Sequence, residues 1–236
     1  MEKLAKTLDT LEVYYEYDTL EKFKRYMEAV LYWNEKVNLT AITDKNDFEI
    51  KHFIDSVAIC GSTQMQEAKK IIDVGTGAGF PGIPLAIIYP DKEFLLMDSL
   101  NKKIRIVDEI SREIGLRNVT FCHGRAEDLA YYKEYREQFD LCLSRAVANL
   151  AVLSEYCLPF VKVNGWFAAY KSGNIGDELE ASSHAINLLG GHLEESKSIN
   201  IEGYDLNHKI LMIRKIKKTL SKYPRKSGTP LKKPLK

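Results

Sequence analysis

An aspartate at position 73, glycines at 75, 77 and 79, a second aspartate at 98 and an arginine at 145 are the residues from which this chain could build a reaction site. Asp73 falls in the short β-branched run Ile71-Ile72-Asp73-Val74, and glycine then takes every second position to 79. Such a loop lets backbone approach a ligand where any Cβ would collide. Gly77 to Gly82 also satisfies the dinucleotide pattern G-x-G-x-x-G, but a pyrophosphate needs free backbone N–H groups at the helix start. Pro81 and Pro84 each delete one. The charge of Asp73 opposes phosphates and suits a ligand carrying an ammonium and a sulfonium, which is S-adenosylmethionine. Asp73, Gly75, Gly77 and Phe80 are the expected cofactor contacts of this loop. A tight turn alone would need neither three glycines nor a carboxylate.

Asp98 ends the next strand, where an acid can accept hydrogen bonds from both ribose hydroxyls. NAD enzymes use the same device, and capping of the following helix is the other reading. Ala126 and Glu127 follow the third strand, where this kind of sheet places an adenine ring. Ala126 can offer its N–H to a ring nitrogen, and Glu127 or Asp128 can accept from the exocyclic amine. Arg125 reads equally as a phosphate contact or as a surface partner of Glu127. Arg145, in Ser144-Arg145-Ala146-Val147, follows the fourth strand, where the methyl acceptor should arrive. Amino-group methylases carry an Asn or Asp followed by Pro-Pro-aromatic there, and this chain does not. Cytosine C5 enzymes need a cysteine beside proline, and none of the four cysteines fits. Arg145, at this strand end, is either the candidate catalytic and cofactor-binding residue or a buried structural arginine. Lys171, after the fifth strand, is a second candidate contact for the acceptor substrate.

The elements that must position these residues alternate from residue 70 onward, which predicts a doubly wound parallel α/β sheet. Strands are expected at 70–74, 93–97, 119–122, 139–143 and 165–170, with helices at 101–115, 149–158 and 176–189. Residues 193–201 and 208–216 read as an antiparallel hairpin across the loop 202–207. Seven strands ending in a hairpin is the class I methyltransferase (Rossmann-like) order. Residues 1–62 read as a helical cap, with Leu4, Leu8 and Leu11 on one face and a capping-box-like start at Asp18 and Glu21. Asn38-Leu39-Thr40 breaks the second helix. A third carries Lys51, His52, Asp55 and Ser56 on one side, either as local helix pairs or as RNA contacts. The sheet domain is expected over 63–217.

The formal charge of +1 conceals an asymmetry: ten Lys or Arg and no acid fall between Arg214 and Lys236, leaving 24 basic and 33 acidic side chains in the rest. A basic tail over 218–236 suggests a polyanionic partner, with Arg225 and Lys226 among its contacts. A solvated, disordered end is the bland alternative, and the two are compatible; removing 218–236 should weaken binding of the polyanion and leave cofactor affinity intact. No apolar run approaches the roughly 20 residues of a membrane span, and the first residues lack a signal peptide's apolar core. Four unpatterned cysteines imply free thiols in the cytoplasm and no metal. A monomer is expected.

The segments Asn38-Leu39-Thr40, Lys51-His52-x-x-Asp55-Ser56, Asp73 to Pro84, Asp98-Ser99-Leu100, Arg125-Ala126-Glu127, Ser144-Arg145-Ala146 and Tyr223-Pro224-Arg225-Lys226-x-Gly228-Thr229-Pro230 together resemble the RsmG (GidB) family. They span nearly the whole chain in the family's order. The resemblance implies an S-adenosylmethionine-dependent methyltransferase acting on N7 of a guanosine in 16S ribosomal RNA, free or in a small-subunit particle. That lone pair is free at neutral pH, so catalysis reduces to alignment. Arg145 then holds the cofactor, a phosphate or guanine O6, and its loss should cost turnover while the fold persists. Two other readings share the sheet. An NAD-dependent oxidoreductase is opposed by Pro81, Pro84, Asp73 and the hairpin; a non-catalytic RNA-binding protein is opposed by the intact loop and Asp98.

Overall fold

Alternating apolar runs from residue 70 produce seven strands: β1 (Lys70–Val74), β2 (Glu93–Asp98), β3 (Val119–His123), β4 (Phe139–Arg145), β5 (Val161–Ser172), β6 (Gly191–Ile201) and β7 (Tyr204–Lys215). The computed structural model describes residues 1–145, 147–201 and 204–235. The strands form one sheet in the order β3-β2-β1-β4-β5-β7-β6. Pairs among β1 to β5 are parallel, while β7 runs antiparallel to both β5 and β6. The expected hairpin is present with a longer return strand, since β7 starts at Tyr204. Residues 202 and 203 of the expected loop lie outside the described residues. β5 also starts early, at Val161, across a register shift opposite Phe139 and Leu141.

Side chains alternate across this sheet as the two-residue period of a strand requires. Leu141, Leu143, Ala168, Tyr170, Ile210 and Met212 face one core, and Cys142, Phe167, Ala169, Leu211 and Ile213 face the other. The first core is shared with the cap. Helices α1 (Glu2–Thr10) and α2 (Tyr17–Asn34) bury Leu4, Leu8, Phe23, Tyr26 and Val30 in the same cluster as Phe80 and Ile83. The N-cap of α2 is not Asp18: Glu16 and Thr19 exchange the two reciprocal bonds of a capping box. Asn34 Oδ1 accepts from Leu39 and Thr40 N–H at 2.8 and 2.9 Å, turning the chain where the helix ends.

The third cap helix is compound. α3 (Lys45–Phe48), capped by Asp44, runs into a π-helical segment, Glu49–Ile54, and then α4 (Asp55–Val57). Widened turns of this kind occur often at functional sites. α5 (Thr63–Glu67), absent from the sequence reading, is capped by the Ser62 hydroxyl at 3.2 Å from Met65 N. α6 (Gly82–Ile88) follows the glycine loop and is buried throughout. α7 (Asn101–Glu113), α8 (Ala126–Leu129), α9 (Leu150–Cys157) and α10 (Gly176–Leu188) are the crossovers.

The basic tail is not a solvated end. After β7 it crosses α8 and α9 and finishes in α11 (Thr229–Lys232). Arg136 ties it down, Nη1 donating to Tyr223 O at 3.0 Å and Nη2 to Thr219 O at 2.9 Å and Leu220 O at 3.2 Å. The Tyr131 hydroxyl donates to Pro224 O. Lys215, fully buried at the tail's root, donates to Leu158 O and Thr219 Oγ1. Among the described residues no helix is long and apolar enough to cross a membrane.

Candidate functional site

The carboxyl ends of β1 to β4 open into a pocket of about 470 Å³. The glycine loop forms its floor because Asp73 folds it. Asp73 is fully buried, and its Oδ2 accepts from Thr76 Oγ1 at 2.7 Å and Gly82 N at 2.9 Å. Its Oδ1 has no partner. Burial outweighs these two bonds and pushes the carboxyl up to about 6. Asp73 therefore lies beneath the loop rather than in the pocket wall, and it shapes the site through Thr76 and Gly82 instead of facing the ligand directly. Gly75 and Gly77 have φ of +74° and +60°, a region other residues enter only with strain. A Cβ on Gly75 would lie 2.5 Å from Val147, whereas one on Gly77 would meet nothing within 4 Å. Gly77 thus borders the open space of the pocket.

Asp98 lines the pocket at 9% exposure. Its carboxylate ties the loop to the strand end: Oδ1 accepts from Leu100 N at 2.8 Å, just before α7, and Oδ2 from Gly77 N at 2.9 Å. Each carboxylate oxygen keeps a lone pair for a ligand hydroxyl. Ala126 and Glu127, both buried, sit beside it. Glu127 is already engaged, its Oε1 accepting from Gly228 N of the tail at 2.8 Å. Leu231 of the tail completes this wall. Arg125 is exposed on the same wall and makes no ion pair with Glu127.

At the other side Arg145 reaches into the cap. Its Nη1 donates to Asp55 Oδ2 at 2.7 Å and Lys51 O at 3.0 Å, and Nη2 lies 3.0 Å from His52 Nδ1. The guanidinium carbon stands 5.2 Å from the centre of the Phe80 ring, on which His52 stacks at 4.3 Å and 3°. Asp55 Oδ1 accepts from His208 Nδ1 at 2.7 Å. Burial alone would raise the Asp55 carboxyl, but the His208 bond and the Arg145 charge hold it below its ordinary value. Burial and the Arg145 cation push His52 down to about 3. The cluster Lys51, His52, Asp55 and Ser56 is therefore the seat of Arg145 and of β5, since Ser56 O accepts from the Tyr170 hydroxyl at 2.8 Å.

Two expected RNA contacts are spent inside the fold. Lys171 pairs with Glu178 at 2.7 Å and donates to Ala148 O at 3.2 Å, fixing the segment before α9. Arg225 makes a two-pronged pair with the fully buried Glu155, Nε at 2.9 Å from Oε1 and Nη2 at 2.6 Å from Oε2. Lys226 is exposed. Ala146, beside Arg145, lies outside the described residues. Thr40 and Glu155 drew no site role from the sequence, because their partners His52 and Arg225 lie 12 and 70 residues away. Among the described residues no group of three His, Cys, Asp or Glu could hold a metal ion.

A sheet in this strand order with one antiparallel member, a glycine loop after β1 and an acid ending β2, defines a class I methyltransferase, and this protein is one. A ribosomal protein L11 methylase from Lactobacillus delbrueckii subsp. bulgaricus shares the fold, with a TM-score of 0.53 over 70% of this chain and 77% of that one at 16% identity. The family model described as rRNA small subunit methyltransferase G matches residues 19–207, and the chain belongs to that family, GidB. A relative from Clostridium tetani (strain Massachusetts / E88), named ribosomal RNA small subunit methyltransferase G, is 51% identical over 91% of this chain and 90% of its own length. Another of that name, from Clostridium perfringens (strain 13 / Type A), is 49% identical over 99% and 98%.

Proposed function

We propose that this protein transfers the methyl group of S-adenosylmethionine to N7 of a guanosine in 16S ribosomal RNA, free or within the small subunit. The observation that carries the choice of atom is that, around Arg145, no described carboxylate or imidazole facing the pocket is free to take a proton. His52 spends its Nδ1 lone pair on Arg145. Asp55 turns one oxygen to Arg145 and the other to His208. Asp73 leaves Oδ1 without a partner, but its carboxylate is fully buried beneath the loop, outside the pocket lining and out of a substrate's reach. An exocyclic amine or a hydroxyl would need a general base there. Guanine N7 needs none, and positioning is the remaining task.

The pocket suits the cofactor in kind: Gly77 leaves open space, Asp98 retains lone pairs, and Ala126 lies where an adenine would meet backbone. When bound, the cofactor supplies an electrophilic methyl on a sulfonium. Asp98 would hold the ribose, and Glu127, ordered by Gly228, the adenine amine. N7 methylation puts positive charge on the purine, which a bare cation would oppose. The Asp55 carboxylate offsets that of Arg145 and leaves it an orienting role. Arg125 and Lys226 are the exposed cations for RNA phosphates, and a cytoplasmic setting follows from that substrate. Incubating unmodified small subunits with the protein and isotope-labelled S-adenosylmethionine, then separating nucleosides by mass spectrometry, should yield N7-methylguanosine. Label on an amino group, on a ribose or on no nucleoside would overturn the reading.

A further inference from the structure

We infer that Thr40 reads the acceptor base, its hydroxyl donating to the O6 carbonyl oxygen of guanine; this rests on the function proposed above. The argument starts from Arg145. An arginine nitrogen carries donors only, so the 3.0 Å contact of Nη2 with His52 Nδ1 requires a lone pair on that ring atom. The proton of the neutral ring then sits on Nε2. Burial and the Arg145 cation keep the ring neutral, so it has a single ring proton to place. Nε2–H therefore donates to Thr40 Oγ1 at 2.7 Å. The same oxygen accepts from Ile42 N at 3.1 Å.

A hydroxyl has two lone pairs and one proton. Both lone pairs of Thr40 are now occupied, and its proton has no acceptor among the described residues. Thr40 is half-buried and lines the pocket with His52, Phe80 and Arg145. It is thus a donor with no capacity to accept, held at a fixed angle by a stacked and hydrogen-bonded histidine. Such a group discriminates between purines. Guanine presents O6 and N7 as acceptors on its major-groove edge, whereas adenine presents N6–H₂, a donor, where guanine has O6. A bond to N7 would occupy the lone pair that must attack the methyl carbon, which leaves O6. An adenine would set donor against donor, and a site built to bond a substrate group rejects analogues lacking it.

The experiment uses the full chain and small subunits reconstituted with 16S RNA that carries either guanine or 2-aminopurine at the mapped target. 2-Aminopurine keeps N7 and lacks O6. The unsubstituted protein should prefer guanine in kcat/KM by roughly tenfold, the value of one neutral hydrogen bond. Thr40→Ser should keep that preference. Thr40→Val should be slower on guanine and lose the preference, treating both bases alike. Thermal melting and binding of S-adenosylhomocysteine establish that each variant folds and loads. A Thr40→Val protein that is slower but keeps the wild-type preference would show that the hydroxyl only supports His52, and would overturn the inference. An unsubstituted protein with no preference would overturn it too. Absence of transfer to guanine by the unsubstituted protein would instead remove the N7 reading, and this inference with it.

Discussion

Arg145 is the residue at which sequence and structure differ most usefully. Its place at the end of β4 was legible, because strand ends in such sheets face the ligand. Its anchorage was not, since Asp55 and His52 lie about 90 residues away and only the packed cap brings them within 3.0 Å. The anchorage changes what its removal should do. Asp55 is 2% exposed, and breaking a buried ion pair from one side costs about 3–5 kcal/mol. Arg145→Ala should therefore lose turnover and also unfold at lower urea, contrary to the expectation of an undisturbed fold. Arg145→Lys should recover little of either, for want of the planar fork. A variant with wild-type urea midpoint would show the pair to be weak. The pH dependence is set by neighbours with opposite signs. His52 is held near 3 in the fold against 6.5 ordinarily, so the unfolded chain binds an extra proton in that window and stability falls as pH falls. Asp73, held near 6 against 3.8, binds its proton more tightly when folded, so its contribution rises as pH drops through 6 and levels below 3.8. His52→Gln removes the first effect alone. Relative to it, wild type should lose up to about 1.4 kcal/mol per pH unit between the two His52 values. Parallel urea midpoints for the two proteins at about pH 5 and about pH 7 would contradict this.

At the scale of elements, the strand–loop–helix unit from β1 to α6 was readable because its glycines and prolines act locally. The reason for each glycine was not readable. Gly75 is required by Val147, 2.5 Å from a would-be Cβ, whereas Gly77 is bounded by nothing in the protein. Both carry positive φ, so either valine variant strains the loop. Beyond that shared strain the two should part. Gly77→Val should abolish S-adenosylhomocysteine binding by filling the ligand's space while displacing no described side chain. Gly75→Val must also push Val147 aside and should melt lower. Calorimetry with dichroism separates the two, and binding by Gly77→Val at wild-type affinity would place the ligand elsewhere. The compound helix 45–57 shows the complementary limit. Apolar spacing located it, but no spacing rule foretells a π segment over Glu49–Ile54, which answers to tertiary contacts rather than to propensity.

For the molecule as a whole, the strand order followed from alternation of elements, while the tail was misjudged because composition reports solubility and not partners. Its cations are divided between two tasks. Lys215 and Arg225 are consumed by the fold, through Leu158 O and Glu155, and exposed Lys226, Lys232 and Lys233 remain for a polyanion. Deleting 227–236 keeps the Arg225–Glu155 pair but removes Gly228 from Glu127 and Leu231 from the pocket. That protein should melt close to wild type yet bind S-adenosylhomocysteine several-fold more weakly, about 1 kcal/mol for part of one leucine's apolar area. An unchanged affinity would show that the tail lends the pocket nothing.

The tail's docking also has a consequence for the enzyme at the bench. Lys217, Lys218 and Lys222 are exposed in the stretch between β7 and the Glu155 anchor, so trypsin has three places to cut there. Cleavage needs that stretch to lift from Arg136, and a ligand seated against Leu231 and Glu127 holds it down by the same free energy that the tail lends to the ligand. The rate of nicking should then fall as cofactor or product fills the pocket. The length of the undigested chain becomes a gauge of occupancy that requires no RNA and no turnover.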